Sequence, residues 1–216
     1  MKGIDVVDLP TLCETALGKI PVYHINDSWF IFEPILGVHK TIYNQKGKII
    51  LDKLLSLLGL ILTFPLFLLV AAAVKMDSKG PVIYRQQRVG KGGQIFNLYK
   101  FRSMQTDAEA NGPVWASQND PRVTRVGYFI RRLRVDEIPQ FWNVLKGDMS
   151  LVGPRPERPE FVKDLIQDIP YFSFRHIVAP GITGWAQVSY PYGASRQDAI
   201  EKLQCAWWTK WFMQST

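Results

Sequence analysis

Asp136 and Glu137 are adjacent carboxylates set among cations, with Arg122, Arg125, Arg131, Arg132 and Arg134 before them and Pro139 after. Neighbouring residues on a helix point about 100° apart, so two adjacent acids can do different work. One carboxylate can attack a phosphorus as a covalent phosphoryl acceptor while the other holds a divalent cation; Mg²⁺ favours one or two carboxylates plus phosphate oxygens. The surrounding guanidinium groups would keep both acids ionised and neutralise a diphosphate. A solvated acidic pair balancing a basic helix explains the same local residues, and the local sequence leaves both explanations open.

Two further places could grip an anion. Gly153-Pro154-Arg155-Pro156-Glu157 presents one guanidinium between two prolines, so Arg155 would lose little entropy on binding a phosphate bidentately. An ordinary proline-rich turn reads the same way. In Lys100-Phe101-Arg102 a strand would put the two cations on one face and the phenyl ring on the other. Gly90-Lys91-Gly92-Gly93 lacks the spacing of a phosphate-binding loop and reads as a turn. The scattered His24, His39 and His176 do not make a zinc site, and Cys13 and Cys205 read as unremarkable thiols of a reduced compartment.

These residues must be carried by a chain of 216 residues, 47% hydrophobic and 21% charged, which can bury a core. Its net charge of +7 calls for an anionic partner: phosphorylated small molecules, anionic lipid or nucleic acid. Three segments are expected. Residues 1–45 hold too few apolar side chains for a core of their own and read as an appendage or a remnant of something larger, with a short strand at Ile4–Leu9 and a short helix at Thr11–Leu17 ended by Gly18. Met1 to Pro10 carries Asp5 and Asp8 and does not read as a signal peptide. Residues 46–75 contain a run of 21 uncharged residues, 54 to 74, long enough for a hydrocarbon core of about 30 Å. Pro65 lies inside it, where it removes a hydrogen bond and clashes with the carbonyl of Ile61. A kinked span and a hairpin returning to the same face both fit. Lys40, Lys46, Lys48 and Lys53 on one side, with Lys75, Lys79, Arg85 and Arg88 on the other, suit a re-entrant hairpin with both ends cytoplasmic. Residues 76–216 read as an α/β mixture. It should contain a hairpin (Pro81–Tyr84 with Ile95–Phe101), a helix from the Asp120 cap and Pro121 to Asp136–Glu137, and another over Pro156–Ile169.

From about Lys46 to Leu203 the chain resembles the monotopic phosphoglycosyl transferases, bacterial sugar transferases that initiate polysaccharide assembly on a polyprenyl phosphate. The resemblance is carried by Tyr99-Lys100-Phe101-Arg102-Ser103-Met104, by the long run from Arg131 to Pro156 (RRLRVDEIPQFWNVLKGDMSLVGPRP) and by Pro180 to Gln187 (PGITGWAQ). It implies a mixed α/β, membrane-associated fold: a re-entrant helix broken at Pro65 and a small, helix-rich cytosolic catalytic domain with a short hairpin, on the cytoplasmic face of the bacterial inner membrane. It implies Asp136 as the nucleophile, Glu137 as the Mg²⁺ ligand beside it, and Arg102, Arg131, Arg155 and Lys100 as phosphate-binding cations. The implied partners are a UDP-sugar donor and undecaprenyl phosphate, with UMP released and no nucleic acid bound. The sequence departs from the family at Phe64, where many relatives carry serine before the proline, and after Leu203, where the ending reads as a truncation or frameshift. The alternatives are an impaired membrane scaffold and a basic module binding anionic lipid or nucleic acid; in the latter the acidic pair would be dispensable and salt would abolish binding.

Overall fold

The computed structural model describes residues 8–25, 42–108, 112, 120–190 and 195–206. Of the expected first strand, residues 4–7 lie outside these, and Leu9 instead opens helix α1 (Leu9–Leu17). The Asp8 carboxylate accepts from the Thr11 backbone N–H at 3.0 Å at its start, and Gly18, at φ +66°, follows its end. The residues after α1 do not hang off the molecule as an appendage. Ile20, Val22 and Ile25 are buried in one core with Val162, Leu165, Phe172 and Leu203. Local apolar content could not show this, because the partners lie more than a hundred residues away.

Helix α2 (Ile42–Asp77) is 36 residues long and contains Pro65. Among the described residues it is the helix long and apolar enough to cross a membrane. It stays helical on both sides of Pro65, so the expected break is not a gap in the helix. Asp52, Ser56, Gly59, Thr63, Phe67, Val70 and Val74 recur every three or four residues and form its covered face. Gly59 lets the Phe141 ring come close: a Cβ there would lie 3.2 Å from it. The other face leaves Leu54, Leu58, Ile61, Leu62 and Leu69 exposed. In water each such side chain would forgo about 1.5–3 kcal/mol of burial, so this face suits hydrocarbon.

The chain then forms the expected hairpin, with a longer first strand: β1 (Ile83–Val89) runs antiparallel to β2 (Ile95–Phe101), Ile83 opposite Phe101. The expected long helix from Asp120 to the acidic pair is corrected. Asp120 makes a local turn, its carboxylate accepting from the Arg122 backbone and side chain. The helix, α3 (Arg125–Arg132), begins four residues after Pro121, capped by the Thr124 hydroxyl accepting from Gly127 N–H at 3.0 Å. Helix α4 (Gln140–Lys146) follows, and its fully buried Asn143 ties it to β2: the amide oxygen accepts from Tyr99 N–H and the nitrogen donates to the Asn97 carbonyl.

Strand β3 (Ser150–Val152) pairs in parallel with β4 (Gly181–Thr183). A Cβ on Gly153 or Gly181 would run into the other segment's backbone, so this approach requires glycine at both places. Between the strands lies α5 (Pro159–Asp168), which starts three residues later than expected with Pro159 in its first turn. Two short helices, α6 (Trp185–Ser189) and α7 (Arg196–Ala206), complete the described fold. A second core, Val70, Val74, Phe101, Ile130 and Ile138, joins the end of α2 to the elements around the acidic pair.

Candidate active site

Helix α3 stops because Arg134 takes the left-handed conformation at φ 58°, which costs a residue with a Cβ about 1–2 kcal/mol. A single 3₁₀ turn, Val135–Glu137, follows at this reversal. The acids thus diverge through a turn and not through the continuing helix expected from sequence. Asp136 is 7% exposed, and its Oδ1 is buried with no hydrogen-bond partner. Glu137 is occupied: its Oε1 lies 3.4 Å from Arg155 Nη2 and 3.5 Å from Arg134 Nη1. One carboxylate is held by cations and the other has a buried oxygen without a hydrogen-bond partner.

Burial pushes the Asp136 carboxyl above the usual range, and the charge of Glu137 adds to the effect. Lys100, Arg131 and Arg134 act in the opposite direction without cancelling it. The sequence argument counted the arginines and missed the desolvation. Lys100, half-buried on β2, has its Nζ 5.5 Å from the Tyr84 ring centroid. Burial, then the like charges of Arg88, Arg155 and Arg131, lower its pKa to about 8, while Asp136 opposes the shift.

The loop carrying Arg155 is stapled along its backbone. Gly153 N–H donates to the Thr183 carbonyl at 2.9 Å, and the Pro154 carbonyl accepts from Gly181 N–H at 2.9 Å. The Arg155 carbonyl accepts from Arg175 at 2.7 Å and the Pro156 carbonyl from Arg88 at 3.0 Å. From this frame the guanidinium reaches Glu137 and also donates to Gln187 Oε1 at 3.1 Å. A guanidinium only donates, so the amide oxygen of Gln187 must face it. The Gln187 nitrogen, buried and without a partner, then faces elsewhere.

The structure therefore gathers Asp136, Glu137, Lys100, Arg131 and Arg155 around one turn. It places Arg102 differently. That guanidinium, in a residue 4% exposed, donates to the carbonyls of Val74, Ser78 and Lys79 and to the Ser78 hydroxyl, capping the end of α2. Pro65 sits on the exposed face of α2. Arg88, Arg175 and Gln187 were not singled out as site residues by sequence reasoning. Gln187 closes the PGITGWAQ motif, which offered a signal; Arg88 and Arg175 carried none. Among the described residues no three His, Cys, Asp or Glu side chains gather to hold a metal.

A model of the family described as bacterial sugar transferase matches residues 43–214. The chain belongs to that family. It is 45% identical over 207 residues to the UDP-N-acetylgalactosamine-undecaprenyl-phosphate N-acetylgalactosaminephosphotransferase of Aeromonas hydrophila, covering 89% of this chain and 48% of that protein. It is 41% identical over 188 residues to the UDP-glucose:undecaprenyl-phosphate glucose-1-phosphate transferase of Escherichia coli (strain K12), 87% of this chain and 38% of that one. It is 43% identical over 155 residues to the exopolysaccharide production protein PSS of Rhizobium leguminosarum bv. phaseoli, 70% of this chain and 78% of that one. The chain spans about half the length of the Aeromonas relative. All the residues gathered at the site fall within the family match, and residues 8–25, which share its main core, precede it.

Proposed function

We propose that this sugar transferase moves a sugar-1-phosphate from a UDP-sugar to undecaprenyl phosphate through a covalent intermediate on Asp136. The carrying observation is the buried Oδ1 of Asp136, which has no hydrogen-bond partner and feels the charges of Lys100, Arg131 and Arg134. In the first half-reaction a carboxylate oxygen of Asp136 forms a bond to the sugar-bearing phosphorus. The bond from that phosphorus to the UMP oxygen breaks, and UMP leaves with the electron pair. In the second, an oxygen of the lipid phosphate attacks the same phosphorus and frees the carboxylate, giving a sugar diphospho-lipid. Lys100, Arg131 and Arg155 hold the phosphates in line and neutralise their charge, the chief demands of phosphoryl transfer.

The Glu137 contacts with Arg134 and Arg155 run through Oε1, and two adjacent carboxylates are the donor type Mg²⁺ takes. Glu137 would hold it beside Asp136, and the ion would neutralise charge on the donor diphosphate. The exposed apolar face of α2 supports seating in the bacterial cytoplasmic membrane. The lysines on both sides support a re-entrant helix, with residues 76–216 as a catalytic domain on the cytoplasmic face. The test uses purified protein in detergent with Mg²⁺, undecaprenyl phosphate and a panel of UDP-sugars, reading UMP. Turnover that disappears in Asp136→Asn and in EDTA, with a phosphosugar adduct by intact mass, is expected; Asp136→Asn that turns over like wild type overturns the reading. The panel also identifies the sugar.

A further inference from the structure

Helix α2 is joined to the rest of the molecule at both ends by polar contacts, and the one at its beginning leads to the Arg155 loop. Lys48 and Asp52, one turn apart, form an ion pair at 2.8 Å. Both also meet Ser150, the first residue of β3. The Ser150 hydroxyl donates to Asp52 Oδ2 at 2.7 Å and accepts from the Lys48 ammonium. Asp52 is only 14% exposed in its side chain and Ser150 5% exposed overall. Such a charge at the base of an apolar helix persists because every member of the cluster is satisfied; a half-satisfied cluster would be worse than an apolar contact.

Ser150 is also fixed from the other side, its N–H donating to the Pro180 carbonyl at 2.8 Å. Five residues further on is Arg155, whose guanidinium lies against Glu137. At the far end of α2, Asp77 accepts from Val126 N–H at 3.0 Å in the first turn of α3, the helix that leads to Asp136. The two ends of one continuous helix thus hold the two segments that must meet at the site.

We propose that Lys48, Asp52 and Ser150 form a latch that transmits the seating of α2 to the Arg155 loop, which makes Asp52 and Ser150 positioning residues of the transfer reaction. Neither touches the acidic pair. The latch acts by fixing where β3 starts and hence where the Arg155 guanidinium ends. Its kinetic arm rests on the transfer reading above; its structural arm does not.

The test compares wild type, Asp52→Asn, Ser150→Ala, the double variant and Ser150→Thr in liposomes, reading UMP release and, separately, backbone hydrogen exchange. The latch predicts that either single change lowers kcat by about tenfold with donor KM within about threefold, that the double variant is no worse than the singles, and that Ser150→Thr restores the rate. It also predicts faster exchange at Ser150 and Gly153 N–H with the β1–β2 hairpin unchanged. Folded variants with unchanged kcat, additive losses, or exchange that rises throughout the chain would each overturn it. If wild type releases no UMP from any donor, the transfer reading fails and exchange alone decides. Selective loosening of residues 150–153 then supports the latch, and uniform or absent loosening overturns it.

Discussion

The end of strand β2 and the loop after strand β3 each carry an arginine that the sequence offers as a phosphate ligand, and the fold uses the two in opposite ways. Arg102 is buried where α2 ends, its two Nη groups donating to the carbonyls of Val74, Ser78 and Lys79. Arg155 has a side chain 35% exposed and reaches a carboxylate and an amide across the site. Both guanidinium groups are planar donors with the same fork of N–H groups. The difference lies in what surrounds them. A helix end supplies several orphaned carbonyls that draw a guanidinium in, whereas a stapled loop holds the backbone and extends the side chain across the site to Glu137 and Gln187.

The largest expected effect tests the premise behind that contrast, that the site is centred on Asp136. Asp136→Asn should lower UMP release by about three orders of magnitude or more, measured beside wild type at saturating donor. Its melting temperature should hold or rise, because the exchange removes a buried charge.

The comparison itself is tested by a pair of variants. Arg155→Ala should lower turnover about 10²-fold, the usual scale for losing one charge-stabilising donor, with little change in melting temperature. Arg102→Ala should instead destabilise the protein by on the order of 2–3 kcal/mol, because buried carbonyls lose their partner. Its remaining activity should track the folded fraction. Thermal melts in detergent read beside UMP release separate the two, and the contrast fails if both variants melt alike and turn over alike.

A smaller effect sharpens the picture of the loop. Gln187→Met removes the oxygen that receives Arg155 and should lower turnover about tenfold, near the value of one hydrogen bond to a charged group. Restoring a hydrogen-bond acceptor with Gln187→Glu would place a third carboxylate beside Glu137, and it should not recover the rate.

The smallest effect belongs to the strand. Lys100 titrates near pH 8 and loses its charge above it, so donor KM should rise a few-fold between pH 7.5 and pH 9. Lys100→Arg should remove that limb of the profile. Stability moves the other way. The folded pKa, about 8, lies below the ordinary lysine value of 10.5, so between them the unfolded chain binds more protons and stability rises with pH.

Much of the architecture was legible in local pattern. The uncharged run around Pro65, the glycine turn of the hairpin and the Thr11–Leu17 helix each follow from periodicity and turn residues a few positions apart. The helix before the acidic pair was misjudged because Asp120 and Pro121 look like a cap but form a local turn, while the actual cap, Thr124, and the reversal at Arg134 have weaker signals. The core contribution of Ile20, Val22 and Ile25 was missed because it depends on distant partners.

The sequence by itself determined which residues could do the chemistry: an adjacent acid pair, a basic setting, a glycine- and proline-bounded arginine and an apolar helix of membrane length. Only the tertiary structure decided their surroundings. It buried Asp136 without a partner, neutralised Glu137 with Arg155, and gave Arg102 to the end of α2. The physical reason is range. Periodicity, capping and turn chemistry act over three or four residues, whereas desolvation and hydrogen-bond partnership are set by groups brought together from segments such as 74–79 and 102, or 137, 155 and 187.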